Sequence, residues 1–166
     1  MIDKIDDALQ GLGLTALGSR LKRLGDRLQA EAQVILAEVE PPIAPGQHPM
    51  LHTIDRHGPL AIGELAERLG VTQPGVTRAI GQLSAAGLVA LVTPPDDGRR
   101  RLVSLTAEGA RFVAAAKRDT WPAVERAVAD LCAGFADELL ASLSRMEAGL
   151  EAKSLRARVR ERKDEA

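Results

Sequence analysis

The stretch TQPGVTRAIGQLSAAGLV, residues 72–89, and the stretch DGRRRLVSLTAEG, residues 97–109, decide how this 166-residue chain is read. The first is a helix that carries its own start and stop signals. Thr72 stands where a cap is needed, and Pro74 fits the first turn because that N–H has no intrahelical partner. Val76, Ile80 and Leu83 recur at helical spacing as a buried stripe, and Gly87 ends the element. Residues 88–93 and 101–105 then read as two strands of apolar and β-branched side chains. Between them, Pro94, Pro95 and the Asp97-Gly98 pair make a tight polar tip, so the pair of strands is a hairpin that projects Arg99, Arg100 and Arg101.

Immediately upstream, Ala61 to Leu69 places Ile62, Leu65, Ala66 and Leu69 on one helical face, with Gly70 as the left-handed residue that ends it. Two helices about three residues apart, with the small Ala66 at their crossing, form a helix-turn-helix. A helix-turn-helix followed by an Arg-tipped hairpin is a winged helix, in which two elements grip one face of duplex DNA. A helix fits the major groove, where base edges are distinguishable, and a hairpin tip lays arginine into the narrower, more negative minor groove. With Val76, Ile80 and Leu83 inward, the outward positions are Gln73, Pro74, Thr77, Arg78, Gly81 and Gln82. Gln73, Arg78 and Gln82 are candidates for base edges, and Thr72 and Thr77 for phosphates. Gly75 and Gly81 each cost about 1 kcal/mol relative to Ala. They read either as points of close approach to DNA or as tolerated weak positions.

Further out, residues 1–18 read as a frayed or partner-dependent arm. From Ser19, a cap candidate, Leu21, Leu24, Leu28, Ile35 and Val39 form one apolar stripe until Pro41-Pro42. A Pro- and Gly-rich loop (41–46) precedes a short helix with Met50, Leu51 and Ile54, ended by Gly58-Pro59. Thr106 caps a helix that runs to about Gly134, with Glu108 complementing its dipole and Pro122 either kinking it near Arg118 or splitting it. From Ala136 a last helix carries Leu139, Leu140, Leu143, Met146, Leu150 and Leu155, more apolar surface than a winged module covers, so another chain covers it. The expected fold is mainly α with a small β-hairpin wing, a winged helix-turn-helix flanked by amino- and carboxy-terminal dimerisation helices. Its expected divisions are 1–45 (arm and first dimerisation helix), 46–106 (DNA-binding domain) and 107–166 (carboxy-terminal dimerisation helices).

Residues 72–89 and 97–109 together resemble the MarR family of winged-helix transcriptional regulators. In that family an Asp-x-Arg motif in the hairpin precedes a Leu-Thr that opens the next helix, and Asp97-Gly98-Arg99 with Leu105-Thr106 falls at that spacing. The resemblance implies that Arg99 is the minor-groove residue and Asp97 its orienting partner, and that Thr77-Arg78 makes phosphate and base contacts. It covers residues 48–110 in sequence and the two ends in architecture, and it implies a homodimer on a near-palindromic site. Many relatives carry a basic residue near Gln82 and more charge where this chain has Ser84-Ala85-Ala86, which implies fewer phosphate contacts here. The family also binds small aromatic or phenolic acids beside the dimerisation helices; Arg20, His52 and Trp121 are the candidates for such a pocket, and for Trp121 the competing reading is packing beside Pro122.

Composition narrows the alternatives. The 22 basic and 23 acidic residues leave a formal charge of −1, so any anion-binding surface is local. Arg outnumbers Lys 17 to 5, which suits forked contacts to phosphate or guanine as well as a GC-rich genome. Two Phe, one Trp and no Tyr argue against base-stacking on single strands. A single cysteine, Cys132, excludes an internal disulfide, and its neighbours Leu131 and Ala133 point to packing rather than redox sensing. No stretch approaches the roughly 20 apolar residues of a membrane span, and early charges break any signal core, so the expected location is cytoplasmic. His48 and His52 are one helical turn apart with His57 nearby, yet two imidazoles without further ligands make no metal site, and no cofactor is expected. The basic tail of Lys153, Arg156, Arg158, Arg160, Arg162 and Lys163 is offset by Glu151, Glu161, Asp164 and Glu165 and reads as a solvated helix end, with extra DNA contact as the competing reading. No catalytic motif is present, so the chain does not read as an enzyme; the winged helix and the family resemblance imply a homodimeric, sequence-specific repressor relieved by a ligand. The competing reading is a winged-helix protein-interaction module that does not read an operator.

Overall fold

The computed structural model describes residues 8–37, 41–93 and 100–164. They divide into two compact units, one ending at Val124 and the other beginning at Glu125. In the first, a helical turn α1 (Ala8–Gly11) and a 3-10 turn (Gly13–Ala16) lead into the long helix α2 (Leu17–Leu36). Residues 8–18 of the expected arm are thus helical, its residues 1–7 lie outside the described residues, and α2 starts two residues before Ser19. The physical reason is that the 3-10 turn winds directly into α2, with the Leu17 N–H bonded to the Leu14 carbonyl, so no capping side chain is required. Ala16 and Leu36 are the buried residues of this region, whereas Leu21 and Leu24 remain exposed.

A 3-10 turn (Pro45–Gln47) opens α3 (His48–His57), which Gly58 ends at φ 79°. Next come α4 (Ile62–Leu69), closed by left-handed Gly70, and α5 (Gln73–Ala85). Thr72 holds the cap position of α5 with extended backbone, but its side chain makes no capping hydrogen bond. Strands β1 (Val89–Val92) and β2 (Leu102–Leu105) pair antiparallel, from Val89 opposite Leu105 to Val92 opposite Leu102. The far edge of β2 is also held: Leu60 and Val103 exchange N–H···O bonds of 3.1 and 2.8 Å. Because Leu60 sits between α3 and α4, the base of the hairpin is fixed to the helix-turn-helix itself. One core joins these elements, with Leu51, Leu65, Val76, Leu83, Leu88 and Val103 fully enclosed.

Thr106 caps α6 (Ala107–Ala115): its Oγ1 accepts from Gly109 N–H at 3.0 Å and donates to the Gly87 carbonyl at 2.6 Å. Gly109 has no alternative, since a Cβ there would lie 1.9 Å from the Leu88 carbonyl oxygen. A π turn (Ala116–Thr120) separates α6 from α7 (Trp121–Leu131). The helix is therefore not split at Pro122: the backbone stays helical from Ala107 to Leu131, and the wider π turn gives room for a ring that lacks the N–H and would clash with the carbonyl one turn back.

In the second unit, α8 (Ala136–Ala152) follows a turn at residues 132–135, and α9 (Leu155–Asp164) follows a break at Lys153 and Ser154. Leu155 hence belongs to a separate helix. Lys153 is extended (φ −159°, ψ 121°), and Arg158 on α9 donates to the Gly149 carbonyl at 2.5 Å, satisfying the end of α8 from outside.

Candidate nucleic-acid interface

The outward face of α5 is built by what its inward face buries. Val76, Ala79, Ile80 and Leu83 are enclosed, which leaves Gln73, Pro74, Thr77, Arg78, Gly81 and Gln82 exposed, as the spacing requires. Arg78 and Gln82 are one turn apart and so are neighbours on this face. Arg78 is exposed and paired with no carboxylate among the described residues, so its guanidinium is available to an anion or a base edge. The Thr77 hydroxyl donates to the Gln73 carbonyl at 3.0 Å and must rotate to donate to a phosphate. A Cβ at Gly81 would meet nothing within 4 Å, so no contact among the described residues demands a glycine there. At Gly75 a Cβ would lie 3.1 Å from Thr72 Oγ1. That is tight, but the contact is with a rotatable hydroxyl.

At the wing, Asp97 and Arg99 lie outside the described residues, as does the tip 94–99. Arg101 is exposed and without an ion pair among the described residues. Arg100 does not project freely: its guanidinium pairs with Glu64 Oε1 at 3.0 Å, while Glu64 Oε2 accepts from Ala61 N–H at 2.8 Å at the start of α4. The pair joins the second of the three arginines to an acid 36 residues away, a contact with no local sign in the sequence. With both side chains about half exposed, the pair is worth at most about 1 kcal/mol.

Sequence reasoning missed Gln47. It is 6% exposed, its Oε1 accepts from Ala44 N–H at 2.9 Å, and its Nε2 donates to Gln82 Oε1 at 2.7 Å. A polar residue beside a Pro-Gly loop gives no local sign of such a role, since its partner is 35 positions away.

Of the three pocket candidates, His52 and Trp121 come together, their rings edge-to-face with centroids 5.3 Å apart. Trp121 is half-buried, and its Nε1 donates to His48 Nδ1 at 3.0 Å. The neutral His48 ring thus carries its proton on Nε2, which is buried without a partner among the described residues. Burial holds this imidazole below the usual histidine range. Arg20 lies elsewhere, in a groove along α2 with Leu17, Leu21, Arg23, Leu24 and Arg27. His48 and His52 both turn to the indole, and no group of three metal-ligating side chains occurs among the described residues. Cys132 is a buried free thiol. No helix among the described residues is long and apolar enough to cross a membrane.

Comparison with known proteins agrees with this architecture. Residues 42–100 match the model of the MarR family. An HTH-type transcriptional regulator of Mycobacterium bovis is 36% identical over 107 residues, covering 60% of this chain and 75% of the relative. The repressor CouR, solved bound to a 23-mer DNA duplex, superposes with a TM-score of 0.66 at 26% identity, over 80% of this chain and 92% of CouR. The PcaV regulator of Streptomyces coelicolor, solved with its natural ligand, superposes with a TM-score of 0.64 at 22% identity, over 82% of this chain and 92% of PcaV. A winged helix-turn-helix with an open, Arg-bearing recognition face, matched in this way, places the chain in the MarR family of transcriptional regulators.

Proposed function

We propose that the protein is a homodimeric, sequence-specific DNA-binding repressor of the cytoplasm, released from its operator by a small molecule. The observation that carries the reading is the recognition helix, whose inward face is spent on the core while Arg78 stands exposed and unpaired among the described residues. Thr72, Gln73, Pro74, Thr77, Arg78 and Gln82 meet the major groove, Arg99 oriented by Asp97 enters the minor groove, and Arg100 and Arg101 add backbone contacts. Residues 46–106 form the DNA-binding part; residues 1–45 and 107–166 pair two copies, setting half-sites about one helical turn apart on a near-palindromic operator. That CouR was solved on a duplex and PcaV with a ligand supports both halves of this reading. The ligand is an aromatic or phenolic acid that meets His52 and Trp121, with Arg20 for its anionic group. It must favour one spacing of the two winged parts over another, since equal affinity shifts nothing.

Fluorescence anisotropy at fixed salt tests this, using DNA upstream of the protein's own gene and, where that fails, a site found by selection. Specific binding lost in Arg78→Ala with Arg99→Ala is the expected result. If no sequence is selected while a protein partner still binds the double variant, the winged-helix interaction module becomes the correct reading.

A further inference from the structure

We propose that Gln47 is a positioning residue that decides which end of the Gln82 amide faces DNA, so that Gln82 reads a hydrogen-bond acceptor on a base edge in the major groove. The inference rests on the reading of α5 as the DNA-reading helix.

The argument starts from a group whose polarity is fixed. A backbone N–H only donates, and that of Ala44 donates to Gln47 Oε1 at 2.9 Å. The other end of the Gln47 amide is therefore its NH2, and this end faces Gln82 at 2.7 Å. Gln82 must answer with its carbonyl, which leaves its own NH2 on the outer side of α5, beside Arg78. Gln47 is 6% exposed, so water does not take over if Gln82 turns round. An inverted Gln82 would set two NH2 groups against each other and strand a buried donor. A free glutamine offers a donor and an acceptor together, the pairing that suits adenine N6 and N7. With its carbonyl held inward, Gln82 offers donors only, and these match guanine N7 and O6 or thymine O4.

Selection of bound duplexes from a randomised pool, with the full chain at fixed salt, tests the proposal through three proteins. The native chain should show one position per half-site with a several-fold preference for guanine or thymine on the strand facing α5. Gln82→Ala should make that position degenerate. Gln47→Glu keeps an acceptor for Ala44 N–H but replaces the NH2 by a carboxylate oxygen, so Gln82 turns its NH2 inward and presents its carbonyl. The preference should then move to cytosine or adenine on that strand, which a merely structural role of Gln47 would not produce. If Gln47→Glu does not melt cooperatively, Gln82→Glu gives the same change from the other side: one carboxylate oxygen accepts from Gln47 and the other faces DNA. An unchanged preference in the folded inversion variant overturns the proposal, as does a Gln82→Ala protein weakened by the same factor on every sequence with its base preference retained, which would place Gln82 on a phosphate. A native chain that selects no sequence overturns the DNA-reading function and this proposal with it. Selection of the same site by native and Gln82→Ala overturns this proposal alone.

Discussion

Helices α5 and α8 carry comparable apolar stripes and spend them differently. α5 encloses Val76, Ala79, Ile80 and Leu83 within the first unit, while α8 has no buried residue and leaves Leu140, Met146 and Leu150 exposed. Helical periodicity thus announces that a face will be covered without saying by what. For α5 the cover is α3, α4 and the hairpin of the same chain. For α8 we propose a second copy, since a single chain leaves the face in water at a cost of about 25 cal/mol per Å2.

The difference can be broken from either side. The largest effect is expected for Leu51→Ala, at 0% exposure: about 2–5 kcal/mol of lost stability by urea unfolding, independent of protein concentration. Leu140→Ala with Leu150→Ala should instead move the unfolding midpoint only through its concentration dependence; equal behaviour of the two sets would erase the contrast. Next comes Gly109→Ala, which drives a Cβ toward a backbone oxygen with no flexible neighbour to yield, for about 2–3 kcal/mol. A loss under about 1 kcal/mol would mean that α6 shifts easily.

Gly81→Ala sharpens the reading of α5, because the site is open. The chain should gain about 1 kcal/mol in stability. If the duplex backbone approaches here, operator affinity falls at the same time; unchanged affinity means that Gly81 is only a weak position. The smallest effect concerns His48. Its folded-state pKa is lowered by burial, so the unfolded chain takes up the proton first, and stability falls as pH drops through about 6.5 toward the lowered value. The melting temperature should decline more between pH 7.5 and 5.5 in the native chain than in His48→Asn, which accepts the Trp121 N–H without titrating. Parallel declines would remove His48 as the cause.

What the residues disclosed in advance followed the range of the forces involved. The bounds of α3 to α5 and the start of α6 were legible because Gly58, Gly70, Gly87 and Thr106 are local stop and start signals, and the buried Val76, Ile80 and Leu83 of α5 followed from spacing, which did not single out Ala79. Pro122 signalled a disturbance of the helix but not its π form, which depends on how the chain re-forms its bonds on either side. The start of α2 was missed because a 3-10 turn caps it with backbone, and the end of α8 because Arg158 reaches back from the next helix. The pairs Gln47 with Gln82, Arg100 with Glu64 and His48 with Trp121 were illegible for one reason: each joins side chains 35 or more positions apart, and only the folded core brings them together.

Amide hydrogen exchange of the full chain with and without its selected duplex tests the central claim most directly, that α5 and the wing read DNA while α8 serves assembly. The account predicts slower exchange on DNA binding in residues 72–85 and 100–106, with residues 136–152 unchanged at a fixed protein concentration. Protection confined to residues 136–152, with 72–85 unaffected, would contradict it.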